Sequence, residues 1–105
     1  MLRHKAYQPA VATPEEAASD MELMDYDFQL FTDAVSGWDT VVYRQHEGCG
    51  VSYLLDQPQL TVDEAVDALD ATDWPYLFYS DVESRRGHVL YRRHDGNYGL
   101  ITPAE

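Results

Sequence analysis

The stretch RQHEGCG, residues 44–50, gathers the side chains best suited to chemistry: His46, Glu47 and Cys49. Thiolate and imidazole are good zinc ligands, but a protein zinc site needs three or four such groups. The other histidines, His4, His88 and His94, have no paired spacing that would complete one. A Cys49–His46 nucleophile pair would need a third group to orient the base. No Gly-rich phosphate loop and no Ser/His/Asp set occurs elsewhere. The expectation is therefore no enzyme, no metal, no cofactor and no small-molecule substrate. A second concentration of chemistry is cationic. Arg85, Arg86, Arg92 and Arg93 hold four of the seven Lys and Arg residues. They read either as charge that blunts an exposed hairpin edge or as a basic patch that contacts an anionic partner.

The rest of the chain is acidic: 19 Asp and Glu give a formal charge of -12. Such a surface repels phosphate backbones, so little direct nucleic-acid binding is expected of this chain alone. A length of 105 residues fits one compact domain, and 45% apolar content excludes a disordered chain. Eight of its 13 aromatic residues are Tyr, which suits half-buried strands and interfaces. Cys49 is the single cysteine, so no internal disulfide can form and a reducing compartment is expected. No apolar run reaches transmembrane length, and MLRHKAYQPAV lacks the apolar core of a secretion signal. The expected location is the cytoplasm, away from membranes.

The sequence repeats itself. YRQHEG at 43–48 returns as YRRHDG at 91–96. With a shift of 48, residues 13–48 match residues 61–96 at 11 of 36 ungapped positions, from Thr13/Thr61 to Gly48/Gly96. Replacements such as Met21/Leu69, Phe28/Tyr76 and Phe31/Tyr79 keep the apolar character. Two copies are too few for a solenoid and point to a duplicated unit with a pseudo-twofold axis.

Each copy has one plan. An extended piece (3–11 or 53–60) precedes a helix. Thr13-Pro14-Glu15-Glu16 and Thr61-Val62-Asp63-Glu64 are capping boxes, the first with Pro at the opening helical position. Val62, Ala65, Val66 and Leu69 make one apolar helix face; Pro14, Ala17, Ala18, Met21 and Met24 make its counterpart. Strands are expected at 27–32, 39–45 and 50–55, and again at 76–80, 88–93 and 98–102. The fold class is α+β: two β-α-β-β-β repeats, 3–55 and 53–103, in one pseudo-twofold domain over 1–105, with two helices on antiparallel sheet. The last strand of copy one is expected to run straight into the first of copy two. Phe28, Phe31, Val41, Tyr43, Tyr76, Phe78, Tyr79, Val89 and Tyr91, joined by Leu30, are the candidate core or pseudo-interface. Asp95-Gly96-Asn97 reads as a tight turn.

The Tyr-Arg ending carries a resemblance. MDYDFQLFTDAVSGWDTVVYR and HVLYRRHDGNYGLITP are similar to the C-terminal domain of the long-form ribosome hibernation-promoting factors, also called ribosome-associated inhibitors. Arg3 and Lys5 match that domain's opening strand, Asp27, Phe28 and Phe31 its aromatic strand, and 90–103 its ending. Copy one departs from D-G-N-Y-G and reads E-G-C-G at 47–50. The usual member has one such domain behind a ribosome-binding domain. This chain has two, as in a duplicated-tail variant of the type called ribosome-associated factor under hypoxia.

The resemblance implies a non-enzymatic domain that helps to silence ribosomes under stress, with the ribosome as partner. In the family this domain forms a homodimer that pairs two ribosomes. A twofold interface is self-complementary, and a second copy in the same chain satisfies the first at high effective concentration. The expectation is a monomer with an internal pseudo-dimer, acting on single ribosomes. A pairing module, or a free-standing acidic adaptor for a basic protein, are the alternatives.

Overall fold

The computed structural model describes residues 2–93 and 95–103, without the side chains of Leu2, Arg3, Lys5, Tyr7 and Leu55. Its elements run β1 (Leu2–Tyr7), β2 (Val11–Ala12), α1 (Pro14–Leu23), β3 (Phe28–Asp33), β4 (Asp39–Gln45), β5 (Gly48–Tyr53), a 3-10 turn (Leu54–Asp56), β6 (Gln59–Leu60), α2 (Val62–Asp70), β7 (Tyr76–Asp81), β8 (Gly87–Arg92) and β9 (Tyr98–Pro103). From β2 onward this is β-α-β-β-β written twice. The class is α+β.

There are two sheets, with orders β2-β3-β4-β5 and β1-β9-β8-β7-β6. Each has an antiparallel core, β3-β4-β5 or β7-β8-β9. The outer pairs β2-β3 and β6-β7 are parallel. A helix separates the strands of each such pair, and a helical crossover returns the chain in the same direction. Contacts divide the chain into two units, Pro9–Asp56 and Met1–Gln8 with Gln57–Glu105.

Two connections differ from expectation. Residues 3–11 are two strands, β1 and β2, and they join different sheets. Pro9 lies between them, where a missing N–H ends a ladder. Likewise β5 does not continue into β6; the 3-10 turn and Pro58 intervene.

Both helices begin as the sequence dictates. Thr13 accepts from the Glu16 backbone N–H at 3.2 Å while Glu16 accepts from the Thr13 N–H at 3.0 Å. Thr61 and Glu64 repeat this at 3.2 and 2.9 Å. One helix face then covers one sheet face. Ala17 and Met21 pack with Ala12, Phe31 and Val42; Ala65 and Leu69 pack with Tyr79, Leu90 and Leu100. Met24, expected on the apolar stripe, is the α1 C-cap and is exposed.

Within the β4–β5 and β8–β9 ladders, each repeat has a close approach. Tyr43 stands opposite Gly50, and Tyr91 opposite Gly99. A Cβ on either glycine would run into the facing tyrosine ring. Glycine is required there by the ring, as in cross-strand pairs where an aromatic covers a bare backbone. Gly99→Ala is expected to lower stability by about 1–3 kcal/mol, the usual cost of overpacking. In a Tyr91→Ala background the same change should cost far less. Urea unfolding of the four-member cycle checks this.

Candidate functional site

Strand alternation sorts the candidate residues into two groups. Phe31 and Tyr79 lie on the helix side, in the core of their own repeat. The others share the opposite face. In repeat one, Phe28 pairs with Tyr43 and Leu30 with Val41. In repeat two, Tyr76 pairs with Tyr91 and Phe78 with Val89. Val41 and Val89 are 0% exposed, Leu30 2% and Phe78 3%. The tyrosines and Phe28 are half-buried. Each sheet thus presents an aromatic-aliphatic quartet away from its helix. Ser52 and Ile101 stand opposite Val41 and Val89 on the same face.

The arginines separate into two pairs. Arg85 and Arg86 lie in the β7–β8 turn, Arg92 and Arg93 at the far end of β8. Six strand residues at about 3.3 Å each put roughly 20 Å between the pairs. Arg92 is engaged within its repeat. Its guanidinium donates to the carbonyls of Leu69, Thr72 (2.7 Å) and Trp74 (3.2 Å), tying the end of α2 and the following loop to β8. Arg44 does the same in repeat one, donating to the Tyr26 carbonyl at 3.1 Å and facing Asp25 at 3.6 Å. Arg93 pairs with Asp95 at 3.3 Å.

Arg85 has φ of 59°, at the position where repeat one has Gly37 with φ of 75°. A left-handed backbone favours glycine, so Arg85 is held there at a conformational cost.

These facts account for the recurring Tyr-Arg. The tyrosine packs over a glycine of the next strand. The arginine pins the helix-to-strand loop. Gly48 and Gly96 supply positive φ (103° and 85°) in the turn between. The sequence alone could not reveal the roles of Gly50 and Gly99; the signal was a glycine after the turn that stands opposite a tyrosine.

His46 and Glu47 are exposed in the β4–β5 turn, while Cys49 packs against the helix-side core of its repeat. Cys49 acts there as a small apolar side chain. His4 meets the Thr102 hydroxyl at 2.8 Å, and His88 stacks edge-on to Tyr79 at 5.5 Å. His94 lies outside the described residues. Among the described residues no three His, Cys, Asp or Glu side chains converge as a metal site. No helix among them is long and apolar enough to cross a membrane.

Three turn carboxylates are tuned. At Asp33, hydrogen bonds from the Ser36 hydroxyl (2.8 Å) and N–H (3.1 Å) hold the pKa below its ordinary value. Burial pushes Asp81 up, but the Ser84 N–H at 2.9 Å and further hydrogen bonds outweigh it and the net shift is down. The Asn97 N–H at 3.1 Å lowers Asp95. Burial also raises the Tyr79 hydroxyl above its usual range.

The fold is a duplicated α+β unit with an aromatic-aliphatic quartet on each sheet. Its sequence relationships are specific. The family described as "Sigma 54 modulation/S30EA ribosomal protein C terminus" matches twice, over residues 1–50 and 54–100. The chain belongs to this family and carries its domain in tandem. It is also similar to the "Dormancy associated translation inhibitor" of two Mycobacterium tuberculosis strains, CDC 1551 / Oshkosh and ATCC 25618 / H37Rv. Identity is 61% over 33 residues, which is 31% of this chain and 12% of each relative. The match thus covers only a small part of those proteins.

Two outcomes follow. Arg92→Ala should lower stability by about 1–2 kcal/mol, the scale of charged hydrogen bonds discounted for a partly exposed group. Arg93→Ala, which breaks one surface pair, should cost under about 1 kcal/mol in the same urea experiment. Separately, carboxyls with folded pKa values below their unfolded ones stabilise the fold fully above about pH 4, and that contribution is lost as pH falls further. Unfolding midpoints should therefore drop as pH falls from about 5 to about 3. Asp33→Asn with Asp81→Asn should flatten that limb.

Proposed function

We propose that this chain is the C-terminal part of a ribosome hibernation factor. It is a non-enzymatic domain that helps to keep ribosomes translationally silent in the cytoplasm under stress. Family membership supports the class, and the name of the mycobacterial relatives supports inhibition of translation during dormancy.

The observation that carries the finer reading is the burial of the two quartets. Leu30, Val41, Phe78 and Val89 are nearly or fully buried on faces that no helix of their own repeat covers. In this reading the faces of the two repeats bury each other as a pseudo-dimer, so that 1–105 acts as one domain. Phe28, Tyr43, Tyr76 and Tyr91 frame the contact; Phe31 and Tyr79 support it from the helix side. A surface satisfied inside one chain is unavailable to a second. The parent factor would then hold single ribosomes and leave them unpaired.

The candidate ribosome contact remains Arg85, Arg86, Arg92 and Arg93, of which Arg85 is exposed on the β7–β8 turn while Arg92 and Arg93 also bond within their own repeat. Strand β1 supports a second reading, in which chains pair. It belongs to one unit while the strand after it belongs to the other, an arrangement open to exchange between molecules.

Sucrose-gradient sedimentation of ribosomes with the factor that carries this tail decides between them. Silenced ribosomes in the single-particle peak, with and without the tail, are expected. Ribosome pairs that depend on the tail would replace the first reading with the second. Arg85→Ala with Arg86→Ala should weaken association severalfold while the fold is kept; unchanged association would remove the arginine contact.

A further inference from the structure

We propose that the outer edge of β5 is a docking site for a basic, extended polypeptide segment of another molecule. The segment adds as a parallel strand, as β1 adds to β9.

The two repeats supply the template. β5 and β9 are equivalent: each runs antiparallel to the Tyr-Arg strand and places a glycine opposite its tyrosine. The other side of β9 takes β1 in parallel, in six register pairs from Leu2↔Tyr98 to Tyr7↔Pro103. In the sheet order, β5 is terminal. The shift of 48 that relates the repeats carries residues 2–7 onto 50–55, most of which is β5 itself. Among the described strands, β9 carries β1 on its outer side, and β5 is the last strand of its sheet.

The four terminal strands are not alike. Proteins blunt a sheet edge by keeping it short or by charging it. β2 and β6 have two residues each. β1 contains Arg3 and Lys5. β5 reads GCGVSY: six residues with no charge and no proline. It has the length and composition of a strand that pairs, and main-chain pairing along such an edge is a general mode of peptide capture.

Charge selects the occupant. The unit Pro9–Asp56 has ten Asp and Glu, and Arg44 is its one Lys or Arg. Its field favours a cationic strand. β1, with two of the chain's seven Lys and Arg, is the internal example of such a strand. A second copy of this chain, at -12, is repelled by the same field.

The test is an NMR titration of the intact 15N-labelled chain with a capped peptide of residues 2–10, LRHKAYQPA, and with a scrambled peptide of equal charge. Saturable shifts in the amides of 48–53 are expected, weakened by salt. The scrambled peptide should bind at least about tenfold more weakly, since register as well as charge is read. Four results would overturn the proposal. Shifts confined to 98–103 would mean that the peptide only displaces β1. An equal response to the scrambled peptide would mean charge alone. Concentration-dependent shifts of 48–53 without peptide would make a second copy the occupant. No response at all would leave the edge unused.

Discussion

One helix covers one face of a sheet, and a sheet has two. That mismatch governs this protein. In each repeat the helix buries Phe31 and Val42, or Tyr79 and Leu90. The other face still holds Val41 with Leu30, or Val89 with Phe78, all buried. A valine left in water forgoes ~1.5 kcal/mol or more of burial, so a second covering layer is required for the unit to be stable. In the proposed arrangement each repeat is that layer for the other, which gives duplication a physical purpose.

The repeated Tyr-Arg-x-His-acid-Gly holds the repeats to a shared geometry while their surfaces diverge. Tyrosine over glycine fixes the spacing of the last two strands, Tyr43 on Gly50 and Tyr91 on Gly99. Arginine to loop carbonyls fixes the exit of the helix against the third strand. Between these two locks the turn changes freely, from E-G-C-G to D-G-N-Y-G. Surface charge has diverged too: ten acids against one arginine in Pro9–Asp56, but both arginine pairs in the other unit.

What was legible in the sequence was local. The capping boxes and the limits of β4 follow from neighbouring residues, and period-two alternation places Val41 and Tyr43 on one face. The family resemblance rested on a long ungapped ending and is matched in both repeats. What was not legible depended on distant partners. β1 joins β9, with His4 meeting Thr102 across almost the whole chain. Nothing near residue 4 announces that. Arg92 looked like part of one basic cluster because its carbonyl acceptors lie at residues 69–74. Met24 continued the apolar stripe by spacing, yet the helix had ended one residue earlier.

The most direct measurement of the central claim is light scattering on the purified chain over a wide range of concentration. If the quartets satisfy each other within one chain, the mass stays at 12.0 kDa throughout. A stable species of twice that mass would contradict internal pairing and return the quartets, or β1, to an interface between chains.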